Sequence, residues 1–419
     1  MMQKSKNNID TLYSKKQQDV LKFAATNDFF MLINHGAKRS GKTVIDNDLF
    51  LMELKRVRKE ADKDGVTRPQ YILAGADLSS LQRNVIIELS NKYNLQFKFD
   101  KYNRFELFGV LVCCFGHSKI NDLGRIRGMT AWGAYINEAT VANEQVFDEI
   151  KSRCSAPGAR IVMDTNPDRP GHWLKHDYVD KADQKTIAQF HWELTDNTFL
   201  DQRYIDSIKQ STPSGVFYER DILGRWVTAE GIVYPDFNRD IHYVGTEDVP
   251  EIVKFWAGMD FGWEHPGAVV LFGESENGNT YLLKEYSGQH RNINDWIAII
   301  KRVQKYTGEI TIYCDSARPD LINDMQCANL CAINARKDVI AGIGEVATML
   351  KQNKLFIVRE NVDLFDKEID TYCWKDGADE PVKQNDDVMD AMRYGIYSER
   401  VSRETAATYN DAKYLNKGW

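Results

Sequence analysis

The residues with the clearest chemical meaning form a glycine-rich loop that ends in lysine and threonine. Their spacing is G-x-x-x-x-G-K-T, in which glycines let backbone N–H groups face phosphates and the lysine neutralises phosphate charge. A helix that begins at the loop adds the positive end of its dipole. The sequence therefore predicts a nucleoside triphosphate site, with Mg²⁺ on the threonine. The candidate residues are Gly36, Ala37, Lys38, Arg39, Ser40, Gly41, Lys42 and Thr43.

A second nucleotide signal is an apolar strand that ends in an acidic residue, and the stretch GAYINEAT has this form. We expect Glu138 to polarise the attacking water. Asn137 stands where an aspartate usually holds Mg²⁺ through water, and its amide keeps an acceptor but loses the charge. A third strand, ARIVMDTNPD, brings Asn166 to the same sheet edge, where it could sense the γ-phosphate.

Two further roles at the nucleotide have open alternatives. The transition state needs a cation beyond Lys42. The candidates are Arg39 inside the loop and Arg127, with Arg125 beside it, acting on the nucleotide of a neighbouring subunit; each is equally well explained as a solvated surface residue. Gln17, ahead of the loop, either reads adenine or lies on an exposed helix face.

The second half of the chain carries acids in an order that matches a ribonuclease-H-like nuclease. Asp260 lies inside an apolar strand, where an unpaired carboxylate is costly. Asp315 ends a later strand. Asp387 and Asp390 are three residues apart and share one face of a late helix, whereas Asp386 is expected to point elsewhere. Such carboxylates hold two Mg²⁺ or Mn²⁺ ions that clamp a phosphodiester, so the pattern predicts a two-metal nuclease.

Three of these acids also have a structural explanation. Asp315 could cap the helix that follows it, and the helical acids could lie on a solvated face. Glu285, at the end of a strand, is a weaker candidate ligand. Lys337 and Arg318 are possible DNA contacts, although surface charge is the simpler interpretation.

The predicted elements place these residues in two α/β domains. In the first half, apolar strands precede the loop, the acidic strand end and the asparagine, which is typical of a parallel-sheet ATPase. In the second half, three strands form a β-meander, followed by an amphipathic helix and a further strand. We predict a P-loop ATPase domain at 1–235, a ribonuclease-H-like endonuclease domain at 236–400 and a C-terminal tail at 401–419.

Composition agrees with two globular domains in a chain of 419 residues, since 43% of the residues are hydrophobic and 27% are charged. A net charge of −7 disfavours a passive nucleic-acid coat, which would be basic. No apolar run approaches the roughly 20 residues of a membrane helix, and residues 1–8 lack the apolar core of a signal peptide. The seven cysteines are expected to be reduced, and Cys327 and Cys331 lack a second pair for zinc.

The ordered motifs resemble the large terminase subunit of tailed bacteriophages over roughly residues 10–400. The segments that carry the resemblance are GAKRSGKT, YINEA, DTNPD, LGRWVTAEGIVYPDF, GMDFGWEHPGAVV, YCDSARPD and NDDVMDAMRY. The resemblance implies an ATP-driven DNA translocase joined to a Mg²⁺- or Mn²⁺-dependent endonuclease that cuts concatemeric DNA. Its implied partners are double-stranded DNA, a portal protein, a small terminase subunit and further copies of the chain on a procapsid, in the bacterial cytoplasm and without a membrane.

Residue roles follow from the same resemblance. The implied roles are nucleotide and Mg²⁺ binding by Lys42 and Thr43, water activation by Glu138, coupling by Thr165 and Asn166, action in trans by Arg127, and metal binding by Asp260, Asp315 and Asp390. Two positions depart from the family, which usually has aspartate at 137 and often has histidine at 387. We expect Asn137 to weaken the attraction for Mg²⁺. We expect Asp387 either to strengthen metal binding in the nuclease or to shift its preference between metals.

Two other functions share part of this pattern. A helicase or repair ATPase with a degenerate second domain would unwind DNA without cutting it. A nucleotide-gated scaffold would bind DNA and the procapsid with negligible turnover, and Asn137 keeps this alternative open.

Overall fold

The computed structural model describes residues 11–415, with side chains described for residues 11–405. Within this range the chain forms two compact units. The first unit holds the residues up to Asp206 together with Tyr218–Thr228, and the second holds Ser207–Phe217 and the residues from Ala229 onwards. Residues 1–8, in which we expect no signal peptide, and residues 416–419 of the expected tail lie outside the described part. None of the described helices has the length and apolar character needed to cross a membrane.

The first unit is built on one sheet whose central strands are continuous buried runs, as expected for a parallel sheet covered on both faces. Its order is β3-β4-β2-β5-β6-β1-β7, and all neighbours are parallel except the pair β3 and β4. This confirms the predicted parallel sheet. Among the described residues the strands are β1 (Met31–Gly36), β2 (Gln70–Gly75), β3 (Arg104–Leu107), β4 (Val110–Gly116), β5 (Ala131–Ile136), β6 (Arg160–Thr165) and β7 (Ile187–Trp192).

The strand register aligns the polar residues of three strands at one edge of this sheet. Strand β6 lies between β1 and β5. Asn34 in β1 is paired with Asp164 in β6. Ile136, the last residue of β5, is paired with Met163, so Asn137 follows at the level of Asp164. Ligands bind outside the carboxyl ends of parallel strands, and these residues therefore lie where a nucleotide site is expected.

Helices cover both faces of the first sheet with apolar side chains. The longest of them, α2, begins directly after Gly41, whose φ of 94° is in the left-handed region that glycine tolerates. Ile45, Leu49 and Val57 of this helix are buried, in the predicted helical register. The described helices before residue 229 are α1 (Lys15–Thr26), α2 (Lys42–Lys63), α3 (Leu78–Leu81), α4 (Glu88–Tyr93), α5 (Leu123–Ile126), α6 (Glu144–Arg153), α7 (Gln202–Ser211) and α8 (Val216–Asp221).

The second unit is built on a mixed sheet with the order β13-β12-β9-β10-β11-β14-β8. Strands β9, β10 and β11 are antiparallel and form the predicted meander, while β12 and β14 add to it in parallel on either side. This agrees with the predicted ribonuclease-H-like fold, and the first meander strand, β9, lies between β12 and β10. Its described strands are β8 (Tyr243–Val244), β9 (Ile252–Asp260), β10 (Gly267–Ser275), β11 (Thr280–Gly288), β12 (Thr311–Cys314), β13 (Cys331–Asn334) and β14 (Leu355–Val358).

Six described α-helices accompany this sheet. The amphipathic helix α10 begins with a capping box between Asn292 and Asp295 and buries Trp296, Ile300 and Val303. The last helix continues beyond residue 400, so the first part of the segment predicted as a tail is helical. The helices are α9 (Arg239–His242), α10 (Ile293–Thr307), α11 (Pro319–Cys327), α12 (Val339–Lys351), α13 (Leu364–Glu368) and α14 (Asp387–Leu415).

Two glycines allow α14 to pack directly on the central strand β9. A Cβ atom added at Gly258 would overlap the carbonyl oxygen of Ala391 and lie 2.7 Å from the amide nitrogen of Gly395. A Cβ atom added at Gly395 would in turn lie 3.0 Å from the amide nitrogen of Gly258. This close backbone contact brings the first turns of α14 next to the end of β9, where Asp260 lies.

Replacing Gly258 with alanine should therefore destabilise the second unit. We expect a loss of about 1–3 kcal/mol of unfolding free energy, because backbone atoms of α14 cannot move aside as a side chain can. Chemical denaturation monitored by circular dichroism measures this loss. Val253→Ala, in the same strand with a side chain that is 56% exposed, is the control and should change stability by less than about 0.5 kcal/mol. Equal stability of the Gly258→Ala variant and the unchanged protein would show that the close contact is not needed.

Candidate active sites in the two units

The glycine loop of the first unit is held against strand β7. A Cβ atom at Gly36, where φ is 143°, would overlap the carbonyl oxygen of Trp192, so only glycine fits there. The next amide, that of Ala37, donates to the same carbonyl at 2.7 Å. The Ala37 N–H group is therefore used within the protein, and the amides that can face a phosphate are those further along the loop.

Lys42 lies inside the loop with its ammonium group surrounded by oxygen atoms. Its Nζ atom donates to the carbonyls of Gly36 at 2.9 Å and Ala37 at 2.6 Å, and to Oδ1 of Asn166 at 3.2 Å. Burial lowers the pKa of Lys42 to about 8, although the charge of Asp164 acts in the opposite direction. The structure thus brings together the loop lysine and the strand-end asparagine that the sequence singled out separately.

The remaining loop candidates differ in their surroundings. Thr43 is half-buried at the start of α2, and Ser40 is buried. Lys38 is exposed and forms an ion pair with Asp221 at 2.9 Å. Arg39 is exposed and has a left-handed φ of 60°, a conformation that a non-glycine residue rarely adopts. Lys38 is therefore engaged away from the loop interior, whereas the side chain of Arg39 is open to solvent.

Gln17 and Arg127 lie in contrasting environments. Gln17 is buried, and its side chain accepts the amide of Ser14 at 2.9 Å and donates to the carbonyl of Gly41 at 3.1 Å. The alternative that Gln17 lies on an exposed helix face is wrong, because its amide fastens α1 to the phosphate loop. Its contact with adenine stays a prediction. Arg127 is exposed, just before β5, as a residue acting on a neighbour would be.

Glu138 and Asn137 are arranged around a third residue, Asp164. The side-chain amide of Asn137 donates to both carboxylate oxygens of Asp164, at 2.9 and 3.1 Å. The backbone amide of Glu138 donates to Asp164 Oδ1 at 2.8 Å, while Glu138 itself has a left-handed φ of 60°. Burial, and next the charge of Asp164, raise the pKa of Glu138. A carboxyl group with a raised pKa at a strand end suits a general base.

Sequence reasoning missed Asp164 and Asp46 as members of this site. Asp46 lies one turn after Lys42 in α2, is fully buried and accepts the amide of Asn34 at 2.6 Å. Burial and the charge of Asp164 raise the pKa of Asp46. A signal was present for Asp164, since it interrupts the apolar run RIVMDT in the same way that Asp260 interrupts its own strand.

In the second unit, the predicted acids line one cavity of about 400 Å³. Asp260 ends β9, Asp315 directly follows β12, and Asp387 and Asp390 lie in the first turn of α14. Asp386 lines the same cavity, so the expectation that it points elsewhere is wrong. The reason is that Asp386 precedes the first residue of α14, and the spacing of a helix face does not apply to it.

Burial and mutual repulsion disfavour the charged forms of these acids. The pKa of Asp260 is raised by burial and then by the neighbouring acids, with Asp390 first among them. Burial, followed by the charge of Asp386, raises the pKa of Asp387 to about 6, while His265 acts in the opposite direction. Binding of a cation would reduce the repulsion between these carboxylates.

Cationic side chains pair with three of the acids, since Lys383 also forms an ion pair with Asp386 at 3.2 Å. Asp390 accepts hydrogen bonds from Lys383 at 2.7 Å and Arg393 at 2.9 Å. Burial acts to raise the pKa of Asp390, but these two positive charges outweigh it and the pKa is lowered. Lys337, which the sequence suggested as a possible DNA contact, forms an ion pair with Asp315. Lys383 and Arg393 were not identified from the sequence.

Glu285 has a structural role in place of the weak ligand role considered for it. Its two carboxylate oxygens accept the backbone amides of Leu364 at 2.7 Å and Phe365 at 2.8 Å, at the start of α13. Glu368 was not identified from the sequence. It is buried and accepts the amide of Val388 at 2.9 Å in the first turn of α14, and burial raises its pKa to about 8.

The donor set of the cavity fits a hard divalent cation. The predicted ligands are all carboxylates, which Mg²⁺ and Mn²⁺ prefer over nitrogen or sulfur. Among the described residues, no three acidic, histidine or cysteine side chains are already grouped around one ion position. Asp315 forms an ion pair with Lys337, and Asp390 forms one with Lys383, so a metal ion would have to displace a lysine from each of these two carboxylates.

Two family models match the chain in succession. The N-terminal part of the terminase large subunit, T4-like-virus type, matches residues 34–241, and the terminase RNaseH-like domain matches residues 257–399. The chain belongs to the large terminase subunit family. It is accordingly a phage DNA-packaging enzyme, and this terminase joins the ATPase and nuclease parts of the family in one chain.

Solved structures of the large terminase of a thermophilic bacteriophage are similar to this terminase over both parts. One gives a TM-score of 0.78 at 27% sequence identity and covers 91% of this chain and 98% of that chain. The complexes of the same thermophilic phage protein with ADP and with ATP-gamma-S give TM-scores of 0.74 and 0.73 at the same identity and coverage. A search of curated proteins finds no significant match.

The crowding of carboxylates predicts that Asp260→Asn stabilises the metal-free terminase. At pH 7 in the presence of a chelator, we expect a gain of roughly 0.5–2 kcal/mol in unfolding free energy, because the amide removes a disfavoured charge. The gain should shrink as the pH falls, since the raised pKa of Asp260 means that protonation neutralises the original carboxyl group in the folded state first.

Thermal unfolding between pH 8 and pH 5 measures this effect. Glu276→Gln, at an exposed position in the turn between β10 and β11, is the control and should leave the melting temperature unchanged. A melting temperature for Asp260→Asn below that of the unchanged protein would contradict the electrostatic interpretation.

Proposed function

We propose that this terminase uses ATP hydrolysis in its first unit to drive double-stranded DNA into a procapsid, and that its second unit cuts concatemeric DNA with two divalent metal ions. The observation that carries the proposal is the presence in one chain of a buried loop lysine and a cavity lined by several carboxylates. The terminase of the thermophilic phage, which is 27% identical, binds ADP and ATP-gamma-S in its solved complexes, and this supports ATP as the nucleotide.

Four residues of the first unit have roles in the proposed hydrolysis. Lys42 holds the β- and γ-phosphates, and Thr43 is a ligand of Mg²⁺, which would screen the phosphate charge when bound. Glu138 accepts a proton from the attacking water, for which its raised pKa is suited. Asn166 bonds to Lys42 and so can register the loss of the γ-phosphate.

A positive charge beyond that of Lys42 completes the proposed ATPase site. Arg39 could supply it within the chain, and Arg127 could supply it to the nucleotide of a neighbouring copy. Both side chains are exposed, which supports either assignment. Action by Arg127 would make hydrolysis depend on assembly, so that an isolated subunit turns over ATP slowly.

In the proposed nuclease, Asp260, Asp315, Asp387 and Asp390 hold Mg²⁺ or Mn²⁺. When bound, the two ions activate a water molecule and stabilise the leaving oxygen of the phosphodiester. Lys383 would then leave Asp390, because the lysine and a metal ion compete for the same carboxylate. The extra carboxylate of Asp387 adds negative charge to the set and favours metal binding.

The proposed partners follow the packaging reaction. They are a portal protein through which DNA passes, a small terminase subunit that selects the DNA, and further copies of the chain assembled on the procapsid, in the cytoplasm of the bacterial host. We assign translocation to residues 1–235, cutting to residues 236–400 and a contact with the portal to the tail at 401–419.

Replacement of Glu138 by glutamine tests the ATPase assignment. We expect ATP turnover to fall by roughly 10²–10⁴-fold, because the amide cannot accept the proton of water, while plasmid cutting continues. Phosphate release in the presence of DNA measures turnover. Glu144→Gln, an exposed acid in the first turn of α6, is the matched control and should retain activity. Loss of both activities in a folded Glu138→Gln variant would refute two separate sites.

Plasmid cleavage with Mn²⁺ tests the nuclease assignment. Asp315→Ala should abolish cutting, because a metal ligand at the end of β12 is lost, and should leave ATP turnover largely intact. Asp320→Ala is the matched control, since Asp320 is exposed and pairs only with Arg318 among the contacts described for it. If the unchanged protein fails to cut at any metal concentration while it hydrolyses ATP, the nuclease assignment is wrong and a translocase or helicase without cutting is favoured.

A further inference from the structure

The family usually has an aspartate at position 137, where this chain has Asn137, and a different aspartate lies beside this residue in the neighbouring strand β6. Asn137 lacks the charge with which an aspartate would attract Mg²⁺. Asp164, at the same level in β6, carries a carboxylate whose two oxygens both accept hydrogen bonds from the side-chain amide of Asn137. An aspartate at 137 could not donate these hydrogen bonds and would place two carboxylates in contact. In this chain the amide therefore stands in position 137 and the acid stands beside it, in strand β6.

Asp164 is buried and lies close to the elements that hold the nucleotide. It is paired in register with Asn34, two residues before the first glycine of the phosphate loop. Its charge acts on Lys42, raising the pKa of that lysine against the effect of burial, and on Asp46. Residues paired in register point to the same face of a sheet, and the side chain of Asn34 donates to Asp46 in α2. The carboxylate of Asp164 therefore lies on the face that carries the start of α2, where Thr43 is found.

Asp46 provides independent evidence that this position suits a cation. Its Oδ2 atom is buried and has no hydrogen-bond partner among the described residues. Asp46 and Asp164 bring two carboxylates to a site in which Lys42 is the buried cation. A buried oxygen without a partner is costly, and a hydrated divalent ion supplies both the missing donors and the missing charge.

We propose that Asp164 supplies, from strand β6, the carboxylate that holds the hydrated Mg²⁺ of the bound nucleotide, and that Asn137 orients this carboxylate. The inference rests on the proposed ATPase function and adds to it a metal-holding residue that replaces the acid expected at 137. Asp46, whose carboxylate accepts the side-chain amide of Asn34, adds to the negative charge of the site.

A structural role for Asp164 is the competing explanation, since it accepts the backbone amide of Glu138 at 2.8 Å. Replacing Asp164 with asparagine distinguishes the structural role from the metal-holding role. Asparagine at 164 still offers one oxygen to the amide of Glu138, but it carries no charge. A structural role therefore predicts little change in the dependence on Mg²⁺, and a metal-holding role predicts a large one.

The exchange variant N137D/D164N gives the sharpest comparison. It returns the acid to strand β5 and the amide to strand β6, and it can reproduce the side-chain hydrogen bonds in the opposite direction. If Asp164 holds the metal, the exchange should behave like the unchanged protein. If Asp164 does not, the exchange gains a carboxylate at the metal and should bind Mg²⁺ more tightly than the unchanged protein.

The experiment is a titration of full-length protein with a fluorescent, non-hydrolysable ATP analogue, first in EDTA and then at increasing MgCl₂. For D164N we expect the affinity in EDTA to stay within about twofold, and the Mg²⁺ concentration at half-effect to rise roughly 10- to 100-fold. The exchange variant should restore the midpoint to within about threefold. Asp148→Asn, an exposed acid on α6, is the control and should leave both values unchanged.

Three results would overturn the inference. The first is an unchanged Mg²⁺ midpoint for D164N. The second is an equal loss of affinity in EDTA and in Mg²⁺, which indicates a structural role. The third is an exchange variant with a midpoint far below that of the unchanged protein, and this arm remains informative if D164N alone does not fold. If the unchanged protein binds no nucleotide at any Mg²⁺ concentration, the proposed ATPase function itself fails and the inference fails with it.

Discussion

The buried carboxylates at the carboxyl ends of sheet strands impose the constraint on which both sites depend. Asp164 in the first unit is buried and Asp260 in the second is partly buried, and each lies at the end of an apolar strand, where solvent stabilises a negative charge less well than at the surface. Each is accompanied by further acids, and burial raises the pKa of Asp46 and Asp260. Such charges persist in a folded protein only beside cations or hydrogen-bond donors. The surrounding residues supply them.

The two units meet this constraint with different groups. In the first unit, neutral amides are the main donors: Asn137 donates to Asp164, Asn34 donates to Asp46, and one buried lysine contributes charge. In the second unit, Lys383 and Arg393 bring full charges to Asp390, and Lys337 brings one to Asp315. Amides hold their acid in a fixed direction, whereas lysines on long stems can give way to a metal ion. The first site is therefore the more organised by the protein alone.

Close backbone contacts set where these charges lie. Gly36 lets the phosphate loop approach Trp192 in β7, and Gly258 and Gly395 let α14 approach β9. In each case a Cβ atom would strike backbone atoms, which cannot rotate away. Because glycine has no Cβ atom, the phosphate loop and helix α14 can approach their sheets closely at these points. Their functional groups are thereby placed near the ends of the strands.

The sequence by itself determined the elements whose signals are local. The loop spacing, the apolar strands, the meander and the acid within β9 are periodic or adjacent in the chain, and each was predicted correctly. Only the tertiary structure decided the rest: that Asp164 lies beside Asn137, that Asp386 joins the acid cavity, that Gln17 is buried against the loop, and that Lys383 and Arg393 neutralise Asp390. These depend on which strands become neighbours and on how a turn enters a helix. No local sequence pattern indicates that residues far apart in the chain will be neighbours, because the sheet order and the helix packing decide which of them meet.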